Sequence, residues 1–275
     1  MTQSITIITV NFNNASGLQK TMKSVLEQTY QSIQYVVIDG ASTDDSVQVI
    51  KGFEHHQNLQ WISEPDSGIY NAMNKGIRQA SGNYLLFINS GDVLEKSDVI
   101  EHTVGQIQNN SAFVGCDLLL DTDEGLVKKS HPEVIRFGYL ISRTIFHPST
   151  FIRRDLFDTY GLYNESNKIV SDWEFFFKTI GLHGESFQKI GYTLTRFDMT
   201  GISSNPENKQ QIKDEKDRVI SNHVSSMKNN AFDAFLFEQY KSPNKRVTYL
   251  AKIEKSPFLR KCATVLLRIL SFFNK

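Results

Sequence analysis

Short runs of branched and aromatic apolar residues recur along the first ninety positions, each separated from the next by a stretch with helical spacing or turn residues. Residues 4–11 (SITIITVN), 34–39 (QYVVID), 58–64 (NLQWISE) and 83–88 (NYLLFI) have the length and composition of buried strands. Between the first two, Leu18, Met22, Val25 and Leu26 fall on one helical face. Ser42 or Thr43 is expected to cap a second helix that begins near Asp44, and a third begins near Tyr70. The order β-α-β-α-β-α-β predicts an α/β fold: a mostly parallel sheet, helices on both faces, right-handed crossovers. All four strands then end on one side, which gathers Asn11, Asp39, Asp66 and Asp92 along a single edge.

The stretch from 63 to 94 carries most of the polar detail. It reads as a Pro65-Asp66-Ser67-Gly68 turn, a helix, a turn at Ser81-Gly82, and a strand opening into Asn89-Ser90-Gly91-Asp92. Ligands of open α/β sheets sit outside the carboxyl ends of the strands, so Asp92 is placed for chemistry. The same four residues are also preferred turn formers, which would make Asp92 a surface turn acid and nothing more. No GxGxxG follows the first strand and there is no Walker loop, which disfavours dinucleotide and P-loop sites. An acidic edge without a glycine cradle can still hold a diphosphate through a divalent cation, since Mg²⁺ combines one or two carboxylates with substrate phosphates.

Composition narrows the class. With 40% hydrophobic and 22% charged residues in 275, the chain is an ordinary globular protein. Cys116 and Cys262 lie far apart and match no metal spacing, which suits a reducing compartment. The first residues, Met1-Thr2-Gln3-Ser4, carry no signal-peptide pattern, so a cytoplasmic location is expected. Net charge is zero, but residues 241–275 hold nine Lys or Arg against one acid, Glu254, leaving −8 on the rest. In the tail, Leu259, Cys262, Leu266, Ile269, Leu270 and Phe273 share one helical face, while Arg260, Lys261, Thr264, Arg268, Ser271 and Lys275 share the other. That segment is too short and too charged to span a bilayer and suits an interfacial helix. The expected partner is the inner face of the cell membrane, with no nucleic acid.

The segments ITVNFNN, VIDGASTDDS, EPDSGIYNAMNKGI and LLFINSGD together resemble the family-two glycosyltransferases of GT-A fold, in particular those that build bacterial capsule, O-antigen or other exopolysaccharide. The resemblance is strong over residues 4–95 and extends to about 204. It implies transfer of a hexosyl or N-acetylhexosaminyl group from a nucleoside diphosphate sugar, with a UDP-sugar expected, to a hydroxyl of a glycan or lipid-linked glycan. The implied roles place Thr9 and Asn11 in the nucleotide pocket, Asp39 on the base, and Asp66, Asn74 and Asn89 around the nucleotide-sugar. Asp92 takes the position that binds Mn²⁺ or Mg²⁺. Where the family often has several acids, Asn89 and Gly91 stand here, leaving Asp92 as the single carboxylate of its motif.

Past Asp92 the pattern loosens into a helix over 97–109, a strand over 113–120 and a hairpin around Asp123-Glu124-Gly125. Residues 145–154 (IFHPSTFIRR) resemble the family's acceptor-side strand, with His147 able to face the sugar. Ser171-Asp172-Trp173-Glu174 opens a helix whose Trp173, Phe176, Phe177 and Ile180 form an apolar stripe. By resemblance Asp172 matches the catalytic base, with Trp173 and Glu174 beside it on the acceptor side. In residues 192–203 (YTLTRFDMTGIS), Arg196 is expected near the phosphates. Residues 1–204 form the expected transferase domain and 205–275 a helical extension, in which Phe232, Phe235, Leu236 and Tyr240 give a short amphipathic continuation. Two other readings remain at this point: transfer to a polyprenyl phosphate, which needs no base, and a non-catalytic nucleotide-sugar-binding protein, favoured by the lone acid at Asp92.

Overall fold

The computed structural model describes residues 3–108, 110–122, 124–224, 249, 252–253 and 255–272. Asp123, the Phe232, Phe235, Leu236 and Tyr240 segment, Phe273 and Lys275 lie outside the described residues, as does the side chain of Ser271. The chain divides into two compact units, Met1–His223 and Val224–Lys275.

The first unit opens with β1 (Ile5–Asn11), α1 (Ala15–Leu26), β2 (Ile33–Asp39), α2 (Ser46–Gly52), β3 (Leu59–Ser63), α3 (Ile69–Gln79) and β4 (Tyr84–Phe87). These strands stand in the order β3-β2-β1-β4, all parallel, with Asn11 in register with Asp39 and Asp39 with Ser63. Asn14 caps α1, its Oδ1 accepting from the Gly17 amide at 3.0 Å. The α1 face expected to be apolar buries Leu18, Met22 and Val25 against the sheet, each worth about 1.5–3 kcal/mol. Strands β1, β2 and β4 are buried along nearly their whole length, as sheets covered on both faces are. The cap expected on α2 does not form. Ser42 instead gives its hydroxyl to Asp39 and accepts the Asn13 amide, because the carboxylate at the end of β2 is the stronger acceptor within reach.

Next come β5 (Val93–Leu94), α4 (Val99–Val104), shorter than the 97–109 expected, β6 (Phe113–Thr122), β7 (Gly125–Lys129) and α5 (Phe137–Ser142). A 3₁₀ turn at His147–Ser149 interrupts the expected 145–154 strand, since Pro148 has no N–H for a ladder, and β8 is confined to Thr150–Arg153. The series continues with α6 (Asp155–Tyr160), α7 (Ser171–Phe176, widening to π pitch over Phe177–Leu182), β9 (Phe187–Asp198) and α8 (Lys209–Val224). β8 runs antiparallel to β4 and β6, and β9 runs parallel to β6, so the described strands make one sheet, β3-β2-β1-β4-β8-β6-β9-β5, with β7 on β6. The stripe on α7 is core, with Trp173, Phe176, Phe177 and Ile180 all buried.

Helix α8 lies beyond the expected boundary at 204, yet all of it except Val224 belongs to the first unit. Its Glu215 is buried, and its carboxylate accepts the amides of Lys168, Ile169 and Val170 at 3.0, 3.0 and 3.3 Å. Burial alone would raise its pKa, but those bonds and one from Gln211 hold it below the ordinary range. The loop that enters α7 is thereby fixed from α8.

The second unit contributes α9 (Pro257–Phe272). Among the described residues no helix is long and apolar enough to cross a membrane.

Candidate active site

At the carboxyl ends of β1 and β4 lies a cavity of about 540 Å³. Asn11, Asp66, Asn89, Asp92 and Asp198 are prominent on its polar wall, and Phe12, Ile69 and the 200–203 loop are among its other lining. Asn11 donates to Asp39 Oδ1 at 2.8 Å, which leaves its own Oδ1 buried without a partner; Asn89 Oδ1 is in the same condition. Two buried, unanswered acceptors facing one cavity are groups that a ligand completes. Asp66 is paired to Lys75 at 2.5 Å, and Lys75 also holds Glu64 at 2.9 Å.

Asp92 is not a surface turn acid. It is 3% exposed, and burial pushes its pKa up to about 7, with the neighbouring Asp198 charge adding to the rise. β5 begins directly after Asp92 and pairs antiparallel with β9, Val93 opposite Arg196, which brings the end of β9 over the Asp92 turn. The Asp198 amide donates to Asp92 Oδ1 at 2.9 Å. Gly91 makes that approach possible: its φ is +109°, and a Cβ there would stand 2.6 Å from Asp198 Oδ2. Asp198 is a site residue that sequence reading missed, because nothing local marks a carboxylate 106 positions away as a neighbour of Asp92. Among the described residues no cluster of three or more metal-ligating side chains occurs, so these two carboxylates could hold a hard divalent cation only with oxygens from a ligand, such as a diphosphate. Three carboxylates and no lysine or arginine line this cavity, so a diphosphate entering it meets like charge unless a cation accompanies it.

A second cavity of about 320 Å³ adjoins the first, and Ile69, Asn89, Phe197, Ile202 and Ser203 line both. Asp172 stands on its wall in the first turn of α7. The Tyr70 hydroxyl, on α3, lies 2.8 Å from Asp172 Oδ1 and 2.6 Å from the Ile169 carbonyl. Burial, reinforced by the Asp172 charge, raises the Tyr70 pKa well above its ordinary value, so the phenol stays a donor. His147 and Trp173 also line this cavity, with the His147 Nε2 and the Trp173 N–H already engaged. His147 Nε2 is 2.8 Å from the Tyr163 hydroxyl and its ring stacks on Phe87, while Trp173 Nε1 donates to the Leu140 and Arg143 carbonyls. Burial lowers the His147 pKa, opposed by Asp172.

Five residues expected at the site line neither cavity. Thr9 is fully buried, giving its hydroxyl proton to the Ile88 carbonyl at 2.6 Å. Asp39 is fully buried and accepts from Asn11, from Ser63, and from both the amide and the hydroxyl of Ser42, which ties strand ends together and leaves Gly40 to face the cavity. Asn74 clamps the 163–165 segment, exchanging bonds with the Tyr163 backbone and giving one to Glu165. Glu174 accepts from Asn164 and Asn167 and meets His223, on the side of α7 away from Asp172. Arg196 is paired with Glu95 at 3.2 Å.

The family model for Glycosyl transferase family 2 matches residues 6–166. An uncharacterised glycosyltransferase of Mycobacterium tuberculosis is 34% identical over 209 residues, 74% of this chain and 78% of its own length. A PGL/p-HBAD biosynthesis glycosyltransferase of Mycobacterium bovis is 29% identical over 181 residues, 62% and 66% of the two chains. Among solved structures, residues 1–349 of S. aureus TarS in complex with UDP-GlcNAc align with TM-score 0.63 at 18% identity, covering 80% of this chain and 67% of that one. Against the longer TarS chain the coverage is 40% of that protein's length. The mannosyltransferase PcManGT of Pyrobaculum calidifontis, solved with GDP-Man and Mn²⁺, aligns with TM-score 0.58 at 15% identity over 96% of this chain and 84% of that one. The structural likenesses establish the GT-A fold expected from the sequence. With more than half the chain matched by the family model and a relative above 30% identity over most of both lengths, this protein belongs to glycosyl transferase family 2.

Proposed function

We propose that the protein is an inverting, metal-dependent transferase that moves a hexosyl or N-acetylhexosaminyl group from a UDP-sugar to a hydroxyl of a glycan or lipid-linked glycan in bacterial surface polysaccharide or glycolipid assembly. The observation that carries this reading is the pair of adjoining cavities, one holding Asp92 and Asp198, the other Asp172, with Asn89 on the shared wall. The UDP-GlcNAc and UDP complexes of TarS support a uridine nucleotide in the larger cavity. The Mn²⁺ and GDP-Man complex of PcManGT supports a divalent cation there. Asp92 and Asp198 would hold Mn²⁺ or Mg²⁺, which when bound neutralises charge on the leaving diphosphate. Asn11 and Asn89 offer their unpartnered oxygens to hydroxyl or N–H groups of the donor. Asp172, fixed through Oδ1 by Tyr70, takes the proton of the acceptor hydroxyl as that oxygen attacks the anomeric carbon. Donor-side and acceptor-side groups in separate, connected cavities suit a single displacement with inversion. The non-catalytic reading loses its motive, since Asp92 has a second carboxylate beside it.

Asp172→Asn keeps the shape and removes the base. Turnover is expected to fall at least about a hundredfold while UDP affinity in Mn²⁺ stays unchanged. Near-normal turnover in that variant would remove Asp172 from the chemistry.

A further inference from the structure

The lysines of this site are in an unexpected place. The cavity expected to take a diphosphate has none, whereas the smaller one is lined by two, Lys168 and Lys216. Lys216 Nζ sits 4.8 Å above the Trp173 ring, and among the described residues no carboxylate lies within ion-pair distance of either ammonium. Burial lowers the Lys216 pKa, with the Asp172 charge opposing. A cation drawn away from water without a partner is costly, and a cation–π contact of about 0.5–2 kcal/mol offsets only part of that. Met73, Leu118, Leu120, Ile145, Phe146 and Ile212 make an apolar stretch of its wall, and Asn89, Thr144, Asp172 and Ser203 make the uncharged and acidic polar part. The Trp173 indole N–H, the His147 Nε2 and the Tyr70 hydroxyl are spent inside the protein. A neutral sugar acceptor has no use for an unpaired ammonium beside that apolar stretch, whereas an acceptor carrying its own anion does.

We infer that the smaller cavity takes an anionic amphiphile, so that the acceptor brings an apolar body bearing a phosphate or carboxylate to Lys216 and Lys168, close to the hydroxyl that Asp172 deprotonates. This rests on the donor and acceptor assignment above and narrows the acceptor to a class. A volume of about 320 Å³ is at the small end of ligand pockets, enough for the charged group and the first carbons of a longer molecule.

Thermal shift and titration calorimetry on the full chain test it with hexyl phosphate, hexanoate, hexyl glucoside and inorganic phosphate, each with and without UDP and Mn²⁺. The expected result is binding of the two anionic amphiphiles, with hexyl glucoside and inorganic phosphate at least tenfold weaker. The preference between hexyl phosphate and hexanoate then tells which anion the site is built for. Lys216→Met should weaken the anionic amphiphiles at least tenfold and leave the UDP-dependent shift intact; Lys168→Met, at a more exposed position, reads the same effect should Lys216→Met fold poorly. Equal binding of hexyl glucoside, indifference to both substitutions, or loss of UDP affinity in their place would overturn the inference. If UDP fails to bind while hexyl phosphate or hexanoate binds through the lysines, the donor assignment falls and the anion subsite stands.

Discussion

Asp92 and Asp198 show what a single residue's neighbourhood adds to its motif. Asp92 is legible in the sequence as an acid at a strand end; its partner is not, because β9 reaches that turn only through the β5 pairing. Asp198→Asn is expected to weaken Mn²⁺-dependent UDP binding on the order of tenfold, about 1.4 kcal/mol, with metal-free UDP binding little changed, as calorimetry would read. Thr9, Asp39 and Asn74 sit in well-marked motifs for a different reason than contact with the cavity: their hydrogen bonds hold the strand ends and the 163–165 segment that surround it. Motif position alone does not separate a residue that touches ligand from one that holds its neighbour in place. A quieter residue, His131, is 2% exposed with neither ring nitrogen hydrogen-bonded, its ring centroid 4.4 Å from that of Phe146. Burial lowers its pKa to about 4, Asp117 opposing and Lys189 adding to the shift. Because the folded value lies below the unfolded one of about 6.5, the neutral ring's contribution is complete above that pH and is lost as pH falls toward 4. Stability should drop by about 2 kcal/mol between pH 7 and pH 5 from this group. His131→Phe should remove that part of the pH dependence in urea titrations at the two pH values.

Among the elements, the four parallel strands and the first and third helices follow from the alternation of short apolar runs with helical stripes, since both periods report which face is buried. Reading becomes harder past Asp92, where β8 enters antiparallel between β4 and β6 and where Pro148 cuts a strand pattern short. α8 is the clearest case. Its sequence is polar and carries no motif, yet Glu215 is the acceptor for three consecutive amides leading into α7. Glu215→Ala leaves those amides without their acceptor and is expected to cost about 3 kcal/mol, given 1.5–3 kcal/mol for a bond to a charged group and the penalty for orphaned donors. Urea unfolding checks the stability. Turnover at saturating donor should fall as well, with UDP affinity retained, because the loop that Glu215 holds carries Ile169, the second acceptor at the Tyr70 hydroxyl, and leads directly to Asp172.

For the whole molecule, the described helix of the second unit presents Leu259, Leu266, Ile269 and Leu270 to solvent at 47–57% exposure, with Arg260, Lys261 and Arg268 on the opposite face by helical spacing. The charge asymmetry and this amphipathic pattern motivate an expectation: full-length protein should sediment with anionic liposomes, and a chain ending at Ser256 should not. Equal sedimentation would remove the membrane reading and leave a protein partner as the alternative for that face. Within the first unit, α3 has a consequence for how such a transferase diversifies. Gly68 and Ala72 face the larger cavity, Tyr70 and Met73 the smaller, and Ile69 both, so this one helix belongs to two recognition problems at once. A change at Ile69 alters both cavities at once, and a shift of the helix moves both walls together. Residues 144–148 and Ile212 line only the smaller cavity, so that wall can vary without disturbing the larger one. With the acceptor in the smaller cavity, as proposed, new acceptor preferences would be cheapest to evolve, or to engineer, on the side of the site that α3 does not touch.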